Sequence, residues 1–334
     1  WLALIGITDY YFAKSIASVA YRIPLKFCRK SGAATSAQTI EAINVHYMHN
    51  IEVRDSTLLC LITLLFATCQ KDVPATLVKE NWRVITIAPS TAANMQALGL
   101  SNLMVGVSEW CPVGTLQDLP RVGGLGAPSL ERIAELNPNV VIVQGRQDIL
   151  EKYCQQNGVF FKSFTTDSLE SWRQEMDWLG AAFDCQGSAA NLVKKFDRQL
   201  AKLNPNHLSK PCLLVASRKN FDVADLLVAA QQSFLNELLA AAGGINVVAE
   251  DTDYVYLQEE LLPELNPHII FELHESEAET RALTIWQKYF GNITAVGDNQ
   301  VYSIFNPQAL MPGPNMIETA RTMSEIIQRQ KLVQ

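Results

Sequence analysis

Ser129-Leu130-Glu131-Arg132-Ile133-Ala134-Glu135-Leu136-Asn137-Pro138, running into Asn139-Val140-Val141-Ile142-Val143, is the stretch that decides the fold. It reads as a short helix, a hard stop and a buried strand. Pro138 stops the helix, because its ring cannot sit in a helix interior and it biases Asn137 away from the right-handed helical region. The unbroken apolar run after it fits a strand covered on both faces, as in a parallel sheet. The unit recurs as Gln258-Glu259-Glu260-Leu261-Leu262-Pro263-Glu264-Leu265-Asn266-Pro267, followed by His268-Ile269-Ile270-Phe271. At one constant offset Glu131 matches Glu260, Ile133 matches Leu262, Glu135 matches Glu264, and Leu136-Asn137-Pro138 matches Leu265-Asn266-Pro267. Two copies in register predict two lobes built alike, each with an acid at the start of the same helix.

Working outward, strands and helices alternate on both sides of the first copy. Strands are expected over 83–88, 103–107, 140–143 and 159–163, and helices over 92–98, 149–157 and 169–183, the pattern of a parallel α/β sheet. One continuous helical pattern over 186–203 separates the copies. Its apolar stripe is read as Ala190, Leu192, Val193, Phe196 and Leu200, and it ends at Asn204-Pro205-Asn206. Beyond it come strands over 212–216, 246–248 and 300–304, a helix capped by Ser233 and closed by Gly243-Gly244, a helix ending near 290, and a final helix over 316–331. In open α/β sheets ligands sit beyond the carboxyl ends of the strands. That rule selects Ser90, Glu109, Trp110, Gly124, Gln144 and Arg146. Ser90 equally suits a helix cap, and Gly123-Gly124 suits a turn. Trp110 stands in a polar loop and is a candidate platform for a flat ligand.

The chain has 334 residues, 48% of them apolar and 18% charged, enough for two domains with real cores. A formal net charge of −7 without any basic run argues against nucleic-acid binding. There is no nucleophile elbow, phosphate-binding loop, dinucleotide fingerprint or HExxH, so no catalytic residue and no cofactor are expected. No Cys/His cluster has zinc spacing, so no metal site is expected. One or two disulfides among Cys111, Cys154, Cys185 and Cys212 are allowed.

At the N-terminus, residues 1–47 show no clear period and read as a non-native or disordered extension. From Met48 a short polar segment leads into Thr57-Leu58-Leu59-Cys60-Leu61-Ile62-Thr63-Leu64-Leu65-Phe66-Ala67, too short to span a bilayer. Small residues and Cys69 follow, so 48–69 resembles a bacterial lipoprotein signal with Cys69 as the lipidated residue. Residues 70–81 read as a tether, 82–185 as the first lobe, 186–204 as the connector and 205–334 as the second lobe.

Taken in order, Arg83-Val84-Ile85-Thr86-Ile87-Ala88-Pro89-Ser90, Val105-Gly106-Val107, Leu119-Pro120-Arg121-Val122-Gly123-Gly124, the unit at 130–138, Ser233-Phe234-Leu235-Asn236-Glu237-Leu238-Leu239 through Gly243-Gly244, and Pro312-Gly313-Pro314 resemble one family. It is the substrate-binding proteins that deliver ferric siderophores, haem or cobalamin to ABC importers. The resemblance covers about residues 82–330. It implies the class III periplasmic binding protein fold: two Rossmann-like α/β lobes joined by a single long connector helix, with the ligand in the cleft between them. It implies an ABC permease with its ATPase as partner, a periplasmic or envelope location, and Glu131 and Glu260 as the acids that dock on permease arginines. An acid in a first helical turn also simply favours the helix dipole, by about 0.3–1 kcal/mol. Two departures concern the cleft. The segment 222–232 lacks a glycine turn, and Asn315 stands where many members have Arg.

Cleft candidates from the second lobe are Arg218, Phe221, Tyr254, Tyr256, His274, Phe305 and Met311. Trp110, Tyr254, Tyr256 and Phe305 offer faces for a macrocycle, and Arg146 and Arg218 offer charge-assisted bonds to carboxylates or catecholates. Haem would use an axial ligand such as His274 or Tyr254, whereas cobalamin needs mainly apolar contacts and hydrogen bonds. An iron chelate, haem and cobalamin all remain open. The competing readings are a surface lipoprotein that captures haem or corrins without a permease, a metal-ion-binding protein and an α/β enzyme.

Overall fold

The computed structural model describes residues 81–329 apart from 112–115, 125, 205, 207, 219–225, 275–281 and 307. The expectations for the N-terminal extension, the signal with Cys69, most of the tether and Phe221 therefore lie outside the described residues.

The first lobe holds β1 (Val84–Thr86), α1 (Pro89–Ala97), β2 (Met104–Val107), the short pair β3 (Gly123–Gly124) and β4 (Ala127–Pro128), α2 (Leu130–Glu135), β5 (Val140–Gln144), α3 (Asp148–Gln156), β6 (Phe160–Phe164) and α4 (Leu169–Ala182). Its main sheet runs β2-β1-β5-β6, all parallel. The helix α5 (Gln186–Leu200) follows. The second lobe holds β7 (Lys210–Ser217), β8 (Leu226–Ala229), α6 (Phe234–Ala242), β9 (Gly244–Asn246), β10 (Tyr254–Leu257), α7 (Leu262–Leu265), β11 (Ile269–His274), α8 (Ala282–Phe290), α9 (Thr294–Gly297), β12 (Val301–Phe305) and α10 (Met316–Arg329). Its sheet runs β10-β8-β7-β11-β12, with β9 beside β7.

The first copy of the repeated unit forms as a helix, a stop and a strand, with Glu131 in the first turn of α2. Ser129 caps α2 by accepting the Arg132 N–H at 3.3 Å. Asn137 and Asn266, each just before a proline, take left-handed backbone with φ of 45° and 36°. Asn tolerates that region better than most side chains. Arg83 then closes the end of α2, its guanidinium donating to the carbonyls of Leu136 at 2.6 Å and Asn137 at 3.0 Å. The second copy is wound differently. A 3-10 turn over Glu259–Leu261 carries Glu260, and Pro263 sits in the first turn of α7, where its missing N–H costs nothing.

Both faces of each central strand are buried, so side-chain alternation feeds two cores rather than core and solvent. Val84, Val140 and Ile142 point into one cluster; Ile85, Val141 and Val143 point into another with Ile133 and Leu150. The first of these clusters is shared between the lobes. It continues through Trp172, Met176, Phe196 and Met323 to Cys212, Leu214 and Phe271 of the second sheet. The connector α5 packs on α4, α6 and α10. The expected stripe holds at Leu192, Val193, Phe196 and Leu200, but Ala189 rather than Ala190 is buried with them. Ala189 lies seven residues, two turns, before Phe196, where helical geometry requires it.

The lobes also cap one another. The Phe234 N–H at the start of α6 donates to the Asp167 carbonyl at 2.7 Å. The Leu169 N–H at the start of α4 donates to Glu237 Oε1 at 2.7 Å. Orphan amides at each helix start are thus satisfied from across the molecule.

Two corrections concern the second sheet and the thiols. β8 and β10 were not expected, and both run antiparallel, β10 to β8 and β8 to β7. The segment 222–232 has no turn signal to mark β8. Cys111, Cys154, Cys185 and Cys212 are free thiols rather than disulfides. Burial pushes Cys111 and Cys154 up to about 11 and Cys212 up to about 12. Among the described residues no helix is long and apolar enough to cross a membrane.

Candidate functional site

Where the carboxyl ends of β5 and β6 face the second lobe, a cavity of about 420 Å³ opens. The first lobe lines it with Pro89, Ser90, Gln144, Gly145, Thr165, Thr166 and Asp167. The second lobe adds Phe234, Asp253, Tyr254, Leu310, Met311 and Pro312. Its position follows the rule for open α/β sheets, and its volume lies within the usual range for small-molecule sites.

The first-lobe wall is built from the ends of elements. Pro89 and Ser90 open α1, and Gln144 ends β5. Ser90 Oγ donates to Gln144 Oε1 at 3.3 Å, and Gln144 Nε2 donates to the Thr166 carbonyl at 3.4 Å. Beneath them Glu175 is fully buried. Asn94 Nδ2 donates to its Oε1 at 3.0 Å and Thr166 Oγ1 to its Oε2 at 2.7 Å. Trp172 Nε1 donates to Asn94 Oδ1 at 3.1 Å. Burial raises the pKa of Glu175, against these hydrogen bonds. The chain of bonds ties the cavity wall to the interior of α1 and α4.

On the second lobe, burial pushes the Tyr254 hydroxyl up, and the charge of Asp253 adds to the effect. Asp253 is itself raised, first by burial and then by the charge of Asp167.

The structure therefore brings together four of the residues selected from the sequence: Ser90, Gln144, Tyr254 and Met311. The others stand elsewhere. Arg146 is exposed and ion-paired with Asp148 at 2.6 Å. Arg218 is buried, its Nε donating to Glu272 at 3.2 Å. His274 lies beside the same carboxylate at 3.2 Å and stacks on Phe305. Trp286 Nε1 also donates to Glu272, at 2.6 Å. Burial works to raise the Glu272 pKa, yet His274, Trp286 and Arg218 together hold it below the usual range. Trp110 is 69% exposed and lies over Gly124, where an added Cβ would meet the indole nitrogen at 2.6 Å. Glu109 and Tyr256 are exposed. None of these residues lines the cavity. Glu131 and Glu260 are exposed, one on each lobe.

Sequence reasoning passed over Thr165, Thr166, Asp167 and Asp253. The first three follow β6, so the strand-end rule that found Gln144 applied equally to them. Asp253 adjoins Tyr254 but carried no pattern of its own. Among the described residues, no group of three or more His, Cys, Asp or Glu is placed to hold a metal ion.

The sequence model of the family described as "Periplasmic binding protein" matches residues 84–306. The high-affinity heme uptake system protein IsdE of Staphylococcus aureus (strain MRSA252) is 25% identical over 267 residues, covering 74% of this chain and 88% of that protein. Two solved structures share the fold. The periplasmic vitamin B12 binding protein BtuF of Vibrio cholerae superposes with a TM-score of 0.64 at 19% identity, over 75% of this chain and 98% of its own. The periplasmic heme-binding protein BhuT, in complex with two hemes, does so with 0.65 at 22% identity, over 74% and 98%.

Proposed function

Because this chain belongs to the periplasmic binding protein family, we propose that it captures an iron chelate, haem or cobalamin in the interlobe cavity and hands it to an ABC importer. The observation that carries the reading is the cavity itself. Both lobes line it, and on the first lobe it lies at the strand ends where ligands of α/β sheets sit. Proteins similar to this one are named for heme uptake, heme binding and vitamin B12 binding.

Membership of the family implies work in the periplasm or cell envelope beside a permease and its ATPase. In this proposal Cys69 carries a lipid, and Glu131 and Glu260 dock on the permease. The shared core and the reciprocal helix caps favour closure with little movement of one lobe on the other. A surface lipoprotein without a permease would need no acid on each lobe. Catalysis forms no part of the reading.

Titration of the purified protein with haem, cobalamin and ferric siderophores, followed by tryptophan fluorescence, tests it. Saturable quenching by at least one of them is expected. A folded protein that binds none would overturn the proposal.

A further inference from the structure

The charge of the cavity is unlike the one expected from the sequence. Arg146 and Arg218 were the groups suited to carboxylates or catecholates, and neither lines it. Arg146 is turned to solvent with Asp148, and Arg218 is buried with its Nε on Glu272, outside the cavity lining. Among the described residues lining the cavity there is no Lys, Arg or His, but there are two carboxylates, Asp167 and Asp253. The remaining polar lining is neutral: Ser90, Gln144, Thr165, Thr166 and Tyr254.

The two acids come from opposite lobes. Asp167 stands between β6 and α4; Asp253 immediately precedes β10. Both are held by their backbones. The Asp167 carbonyl accepts the Phe234 N–H, and its Oδ1 accepts the Ser171 hydroxyl at 3.1 Å. The Asp253 carbonyl accepts the Ala230 N–H at 2.8 Å. Partial burial raises the pKa of Asp253, and the charge of Asp167 adds to the effect, so the two acids lie close enough to interact. Two like charges at one cavity, one from each lobe, repel one another. A positive or N–H-bearing group between them removes that repulsion and gains charge-assisted hydrogen bonds, the stronger kind. A carboxylate entering the same space would add a third negative charge, and no cation among the described lining residues would receive it.

We propose that Asp167 and Asp253 select a ligand that enters the cavity with a cationic or N–H-bearing arm, an ammonium or a carboxamide, and reject one that enters with a carboxylate. This rests on the binding function proposed above. It names the arm of the ligand and the residues that read it.

The test titrates the full protein, its D167N and D253N variants and the double variant, with circular dichroism as the check on folding. The probes are ferrioxamine B with its free ammonium, its N-acetyl derivative, cyanocobalamin with its carboxamide arms, haem with its two propionates, and ferric citrate. The wild-type protein is expected to bind an amine- or amide-bearing probe at least about 10-fold more tightly than haem or ferric citrate, the size of a hydrogen bond to a charged group. Each Asn substitution is expected to lower that affinity about 10-fold and to narrow the gap to the carboxylate probes. Loss of affinity on N-acetylation assigns the ammonium, and binding of cyanocobalamin assigns the carboxamide. Tighter wild-type binding of haem or ferric citrate overturns the proposal, whatever the variants do. So does a ranking that folded variants leave unchanged. Failure of every probe to bind the folded wild-type protein would instead remove the function on which the proposal stands.

Discussion

Glu175 shows how much a single buried carboxyl carries. It has no contact with solvent, it accepts hydrogen bonds from Asn94 and Thr166, and burial raises its pKa. Above the ordinary glutamate range the folded state therefore holds a proton that the unfolded chain has released. Stability present below the unfolded pKa is lost as the pH rises through the folded one. Urea midpoints of the wild-type protein are expected to fall as the pH is raised beyond that range. Glu175→Gln, which stays neutral, is expected to lose this dependence; an unchanged slope would locate its source elsewhere. At this scale the sequence was legible where chain position limits a side chain's choices. Ser90 and Gln144 sit at the ends of elements, so their place in the site followed from the pattern. Arg146 and Arg218 sit just after strands too, yet they pair outside the cavity, with Asp148 and with Glu272. Which acid satisfies an arginine depends on residues as much as 54 positions apart for Arg218, and no spacing announces that.

The elements were easiest to read where one period ran long. On α5 only Ala190 is misplaced, its buried neighbour being Ala189, because Phe196, Leu192 and Val193 already define the buried side. β8 and β10 were harder. They pair with one another in antiparallel fashion, and a four-residue apolar run such as Leu226-Leu227-Val228-Ala229 suits a helix as well as a strand. The helix starts hold the most testable feature of this scale. α4 begins with the Ser168 capping box and, in addition, with the Glu237 carboxylate on the Leu169 N–H. Glu237→Ala removes an acceptor supplied by the other lobe and is expected to cost about 0.5–2 kcal/mol, the range for lost helix caps. Denaturant unfolding measures it. A loss confined to stability, with the ligand probes binding as before, marks the contact as a brace between lobes.

Across the whole molecule the two exposed acids, Glu131 and Glu260, stand on separate lobes and away from the cavity. The double charge reversal Glu131→Arg with Glu260→Arg is expected to abolish ligand uptake in cells while the purified protein keeps its ligand affinity. Unchanged uptake would remove their docking role. The repeat, its two proline stops, the long helix between the copies and hence the two-lobed α/β architecture are legible in the order of residues alone. These are written in periods and in residues whose backbone preferences are local. It took the packed chain to show that the lobes share one hydrophobic cluster, that their helices cap each other, and that the described residues lining the cavity include two acids and no arginine. Those features depend on which side chains from distant segments meet, and burial, charge and hydrogen bonding act on that meeting rather than on the order of residues along the chain.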